Sequence, residues 1–183
     1  MNLTVVTPSA ALPVSLADVK LHLRLDTDTD VEDSLLTRLV RTSAERCSHE
    51  TGRAMLTTVY RLEADIGETL RLPRPPLVSV TSVVLTDADG NETALSESGY
   101  TVKTTRAQAL LTVTDPGDAV SVTVVFQAGY GAAADDLPEA MAAWILLDVA
   151  TLKESPQAIT SGNVNSVPYP FVGGLLDSYR VSY

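Results

Sequence analysis

The run Val31-Glu32-Asp33-Ser34-Leu35-Leu36-Thr37-Arg38-Leu39-Val40-Arg41-Thr42-Ser43-Ala44-Glu45-Arg46-Cys47-Ser48-His49-Glu50 decides the fold. Val31, Leu35, Leu36, Leu39, Val40, Ala44 and Cys47 recur at intervals of three and four. That spacing lays them in one stripe along a helix. Glu32, Arg38, Arg41, Glu45, Arg46 and His49 take the opposite face. Asp30 is the expected N-cap, since its short carboxylate can accept a free N–H of the first turn. Asp33 adds negative charge where the helix dipole favours it. Gly52 ends the helix, because glycine enters the left-handed C′ conformation without a Cβ penalty. A rod of roughly 30 Å, at about 1.5 Å per residue, needs apolar partners along its stripe.

The flanking segments supply them. Residues 1–14, with Pro8 and Pro13, read as an extended arm. Ser15 caps a short helix, Leu16–Leu25, with Asp18 at the third position. The connector Asp26–Asp30 alternates acid and threonine. It lacks the sixth-position glycine and distal glutamate of a calcium loop, so a solvated turn is expected there.

After Gly52 the apolar period shortens. Thr57–Glu63, Thr69–Leu72, Leu77–Leu85, Tyr100–Lys103, Ala109–Val113 and Ala119–Gln127 are short, rich in Val, Thr and Leu, and separated by turn signals. They predict five or six antiparallel strands in a small sandwich or barrel. Asp87-Ala88-Asp89-Gly90 has Glu92 where a calcium loop needs glycine, and reads as a hairpin turn. Asp136, Pro138 and Glu139 then signal a helix start with a capping box, and the helix runs to about Lys153. Met141, Ala142, Ala143, Trp144, Ile145, Leu146, Leu147, Val149 and Leu152 make it apolar on nearly every side. Such a helix is buried all round. One side meets the long helix, and the other meets the sheet or a neighbouring subunit.

Residues 154–174 are rich in Ser, Pro, Gly and Asn and read as a loop or mobile arm. The chain then closes with Leu175-Leu176-Asp177-Ser178-Tyr179-Arg180-Val181. An apolar patch after such a segment is either a docking peptide or a tail folded onto its own core. The fold class is therefore α+β: an antiparallel helical core of three main helices, an inserted antiparallel β-sandwich or barrel, and a C-terminal arm. The expected divisions are 1–56 for the arm and first helical part, 57–128 for the β insert, 129–154 for the second helical part, and 155–183 for linker and tail. Core and subunit packing is assigned to Leu35, Leu39, Trp144, Ile145 and Leu147.

Composition narrows the function. The chain has 183 residues, enough to bury a substantial core. Its net charge of −10 argues against a grip on nucleic acid through phosphates. One cysteine cannot make an internal disulfide, which points to a reducing compartment. The N-terminus lacks the basic region of a signal peptide, and no apolar run nears the roughly 20 residues of a membrane span. No phosphate-binding glycine loop and no nucleophile elbow are present. Cys47 and His49, two apart on a helix, point to different faces and cannot chelate together. Asp148, the one charge within the apolar helix, reads as a buried acid paired with an arginine such as Arg38 or Arg41. No catalytic residue, cofactor or metal site is predicted. A β-domain that binds a ligand such as a glycan is the alternative, weakened by the 5% aromatic content. A small hydrolase using two carboxylates is a further alternative.

The order of features resembles the head–tail connector (adaptor) proteins of tailed phages and gene transfer agents. The resemblance rests on Pro13-Val14-Ser15-Leu16-Ala17-Asp18-Val19-Lys20-Leu21-His22-Leu23-Arg24-Leu25, the acidic Asp30–Asp33, Glu50-Thr51-Gly52-Arg53, Tyr130-Gly131, Leu137-Pro138-Glu139-Ala140 and Leu175-Leu176-Asp177-Ser178-Tyr179-Arg180. It covers both ends of the chain and matches the β region loosely. Thr151-Leu152-Lys153-Glu154 departs from it, where a more aromatic and basic helix end belongs. The resemblance implies a structural virion protein without catalysis, assembled in the host cytoplasm and resident in the neck. It implies a ring of about twelve copies under the portal. It further implies a platform for stopper or tail proteins, a DNA channel without specific DNA binding, no membrane contact, and portal docking through Leu175, Leu176, Tyr179 and Arg180.

Overall fold

The computed structural model describes residues 1–67, 69–105, 107–154 and 169–181, side chains of residues 169–171 excepted. Three helices carry the first layer: α1 (Leu16–His22), α2 (Asp33–Thr51) and α3 (Glu139–Glu154). A fourth, α4 (Tyr169–Gly174), precedes the tail. The β region runs β2 (Thr58–Asp65), β3 (Leu70–Leu72), β4 (Leu77–Asp87), β5 (Glu92–Ala94), β6 (Tyr100–Thr104), β7 (Ala109–Val113) and β8 (Ala119–Ala128), and β1 (Asn2–Thr7) joins it from the N-terminus.

The strands form two antiparallel sheets, ordered β1-β2-β8-β4-β5 and β3-β7-β6. Tyr60, Leu62, Val83, Leu85, Val122, Val124 and Phe126 of the larger sheet share a core with Leu72, Ala109 and Leu111 of the smaller. Alternation places them, because successive side chains of a strand point to opposite faces. In the central strand β8, every second residue from Val122 to Ala128 is buried. Both sheets stay open, so the antiparallel β region stands and the barrel alternative does not. Two strands go beyond the six expected. Residues 2–7, read as part of an extended arm, pair antiparallel with β2 about sixty residues later, Leu3 opposite Leu62. The short β5 pairs Val84 with Ala94 after the Asp87–Asn91 turn, which Gly90 rounds at φ +85°.

The helical layer has its own core of Val14, Val19, Leu36, Val40, Cys47, Met55, Leu137, Met141, Trp144, Ile145, Val149 and Leu176. α2 and α3 run antiparallel: Lys153 near the end of α3 pairs with Glu32 at the start of α2, and Arg46 meets Asp148 further along. α2 starts later than the sequence suggested. Its N-cap is Glu32, without a side-chain cap, and Val31 lies outside the helix at 84% exposure. Lys20 is the reason. Its Nζ sits 2.6 Å from the Thr29 carbonyl and 2.7 Å from Asp33 Oδ1. The lysine thereby holds the connector as a turn, and Asp30 offers α2 its carbonyl to Asp33 N–H rather than its carboxylate. α3 also starts differently. Asp136 Oδ2 accepts the Ala133 N–H within a 3₁₀ turn, and the Pro138 carbonyl opens the helix by accepting from Met141 and Ala142.

The two layers join where the chain crosses itself. Tyr130 N–H donates to Met55 O, and Thr57 N–H donates to Gly131 O. Gly129 lies between them at φ +140°, where an added Cβ would sit 2.4 Å from the Leu56 carbonyl carbon. Only glycine fits that approach.

Candidate functional site

The tail residues expected to dock a partner are held by their own chain. Leu176 is fully buried in the helical core, and Leu175 and Tyr179 pack partly buried against it. Beyond Leu176 the chain makes a 3₁₀ turn, Asp177–Tyr179, and runs over the end of α2. Val181 N–H donates to Thr51 O at 2.9 Å, and Arg53 Nε donates to Tyr179 O at 2.5 Å. Arg180 pairs with Glu50 at 3.5 Å and Asp177 at 3.1 Å, its side chain 41% exposed. The tail folds onto its own core, one of the two readings left open by the sequence: Leu176 anchors inward, whereas Asp177, Ser178 and Arg180 face solvent.

The berth is the turn Glu50-Thr51-Gly52-Arg53. Gly52 takes φ +70° and its N–H returns to Ser48 O, the left-handed end expected of a C-terminal glycine. Thr51 Oγ1 donates to Cys47 O, and Ser48 Oγ donates to Arg53 O at 2.6 Å. Arg53, only 4% exposed, ties the tail to this turn. Arg74, between β3 and β4, donates from Nη1 to Ser48 O and Oγ at 2.8 and 3.0 Å. The end of α2 therefore meets tail and sheet at one place. Sequence reading singled out this stretch but gave Arg53 and Arg74 no role. A basic residue directly after a helix-ending glycine, where free carbonyls collect, was the available signal.

The packing residues separate. Trp144 and Ile145 are buried between α2 and α3, whereas Leu39 and Leu147 are half-buried and Leu35 is exposed. Asp148 has its arginine, but the partner is Arg46, at 2.6 Å, not Arg38 or Arg41. Arg46 flanks the buried Leu36–Val40–Ser43–Cys47 stripe and reaches across with its guanidinium 6.0 Å from the Trp144 ring centre. Arg38 and Arg41 point to solvent.

The groups with chemical potential are already engaged. Burial, with the charges of Asp148 and Glu50, pushes the Cys47 thiol up from 9.0 to about 12, the opposite of what a nucleophile needs. Asp26 Oδ1 accepts the Asp28 N–H. Asp87 accepts from Asp89 N–H and from both the backbone and side chain of Asn91. The Asn91 side chain, with those backbone donors, holds the exposed Asp87 carboxyl below its usual range. Both acidic turns thus spend carboxylate oxygens on their own loops.

No protein-family model and no curated protein matches the chain. Solved structures do. The chain is similar over 100% of its length to a chain covered to 97% in the neck of an empty gene transfer agent (GTA) particle computed with C6 symmetry, at 26% identity and a TM-score of 0.82. It is similar at the same coverage to a chain of the native GTA virion, at 25% identity and TM-score 0.81. A chain of the native GTA neck computed with C12 symmetry follows at 25% and 0.77. All three matched chains are components of GTA particles, two of them from structures of the neck. From end to end, the fold of this chain is similar to that of chains in the neck and virion of gene transfer agent particles.

Proposed function

We propose that the chain is a structural subunit of a virion neck, an adaptor that forms a ring beneath the portal, extends the DNA channel and offers a platform to stopper or tail proteins. The full-length likeness to neck chains carries this reading, and their C6 and C12 symmetries support a closed ring. The net charge of −10 suits a channel wall along which DNA slides without sticking. The partly open Ala140, Ala143, Leu147 and Ala150 side of α3 suits packing between copies. In this reading the tail meets the portal through Arg180 and the open side of Tyr179, with Leu176 as its anchor.

The test is mass by light scattering, with and without portal protein, followed by electron microscopy of any large species. A ring in either sample is expected. A strict monomer in both overturns the reading. For the tail, Arg180→Glu is expected to abolish portal capture in a pull-down with the fold intact, since exposed ion pairs contribute about 1 kcal/mol or less. Unchanged capture removes the tail from the portal contact. Deleting residues 175–183 is the poorer variant, because loss of Leu176 from the core costs roughly 2–5 kcal/mol.

A further inference from the structure

One concave surface remains open beside the contacts at the end of α2. A groove of about 660 Å³ runs between β1 and the C-terminal half of α2. Leu3, Val5, Leu12, Ala44 and Met55 give it an apolar lining, and Arg41 and Arg74 stand over it. Among the described residues, Arg41 and Arg74 make no ion pair, and the Arg74 guanidinium donates to Ser48 O and Oγ. Glu45, one turn after Arg41, lines the same groove, so two arginines face one carboxylate there, an excess of positive charge in a chain of net charge −10. β1 also ends its sheet, so its outer edge is open to an extended segment.

The same chain presents the complement. Among the described residues, Asp26, Asp28 and Asp30 of the connector are exposed without a cation partner, and Val31, at 84%, is the most exposed large apolar side chain. Lys20 and the Glu32–Lys153 pair hold this loop at its base, so it is a presented knob. Connector and groove lie toward opposite ends of α2, about 20 Å apart for the thirteen residues from Val31 to Ala44. The loop therefore does not fill the groove of its own chain.

We propose that the groove receives the acidic connector of a second copy of this chain: Val31 enters the apolar lining while Asp28 and Asp30 face Arg41. Knob and hole are different surfaces, so the contact is head-to-tail, the kind that closes into a ring. Opposite charges across it set register and exclude other pairings. The inference rests on the ring reading and specifies one of its interfaces.

The experiment uses full-length chains in whichever light-scattering sample holds the multimer. Arg41→Glu is expected to weaken association at least about tenfold, and Asp28→Arg with Asp30→Arg to do the same. All three substitutions in one chain restore the charge pairing and are expected to recover the multimer. Thermal melting by circular dichroism verifies that each variant folds, as these side chains are exposed. A multimer untouched by either charge reversal, or a triple variant that recovers nothing, overturns this contact and leaves the ring reading standing. No multimer in any wild-type sample overturns the ring reading, and the contact with it.

Discussion

The helical core and the sheet core bury comparable sets of apolar side chains, Trp144, Ile145, Leu36 and Met141 in one, Phe126, Leu62, Leu72 and Leu111 in the other. Among the described residues, the buried polar side chains Lys20, Ser43, Thr51, Arg53 and Asp148 all lie in the helical half or the turn that ends α2. The contrast follows from where each element spends its backbone hydrogen bonds. Strands bond to one another, so pairing such as Tyr60 opposite Phe126 already fixes register and which face is buried. Helices satisfy their backbone internally, and an apolar stripe alone lets them slide and rotate. Here side chains supply the missing direction. Lys20 sets the start of α2, Lys153–Glu32 and Arg46–Asp148 set the α2–α3 register, and Arg53 sets the tail.

If the crossing at Gly129 makes the halves one cooperative unit, a large buried aromatic side chain of either half should matter equally. Trp144→Ala and Phe126→Ala are each expected to cost about 3–5 kcal/mol in urea unfolding, with far-ultraviolet dichroism showing one transition. A second transition in either variant would separate the halves, and a loss below about 1 kcal/mol for Trp144→Ala would take it out of the core.

A smaller effect probes the polar devices. Arg46→Met leaves Asp148, 9% exposed, without its cation. The expected cost is about 1–3 kcal/mol, below that of a fully buried pair because the Arg46 side chain is half exposed. Adding Asp148→Leu should recover most of it. If the double variant is no better than the single, the unpaired Asp148 charge is not the source of the loss.

The smallest effect is at Ser43, whose hydroxyl is fully buried without a hydrogen-bond partner among the described residues. Ser43→Ala is expected to lie within about 0.5 kcal/mol of wild type or to stabilise. A loss above about 1 kcal/mol would show that Ser43 belongs with Lys20 and Arg53 as a positioning group.

Sequence alone determined the elements whose signal is local. α2 and α3 were legible because apolar positions at three and four can serve only one helix face. Gly52 was legible as an end, and the strands after it by their short period and turn residues. The need of Asp148 for an arginine was legible too, since a charge amid apolar neighbours needs a partner. Tertiary structure decided what depends on distant atoms. β1 looked like an arm because its partner β2 lies some sixty residues away. The N-cap moved to Glu32 because Lys20 claimed the turn before it. Arg46 rather than Arg38 or Arg41 took Asp148, since the α2–α3 crossing selects which arginine flanks the contact. Leu176 went inward because the α2–α3 pair left a berth at its end, and a berth exists only once both helices are packed.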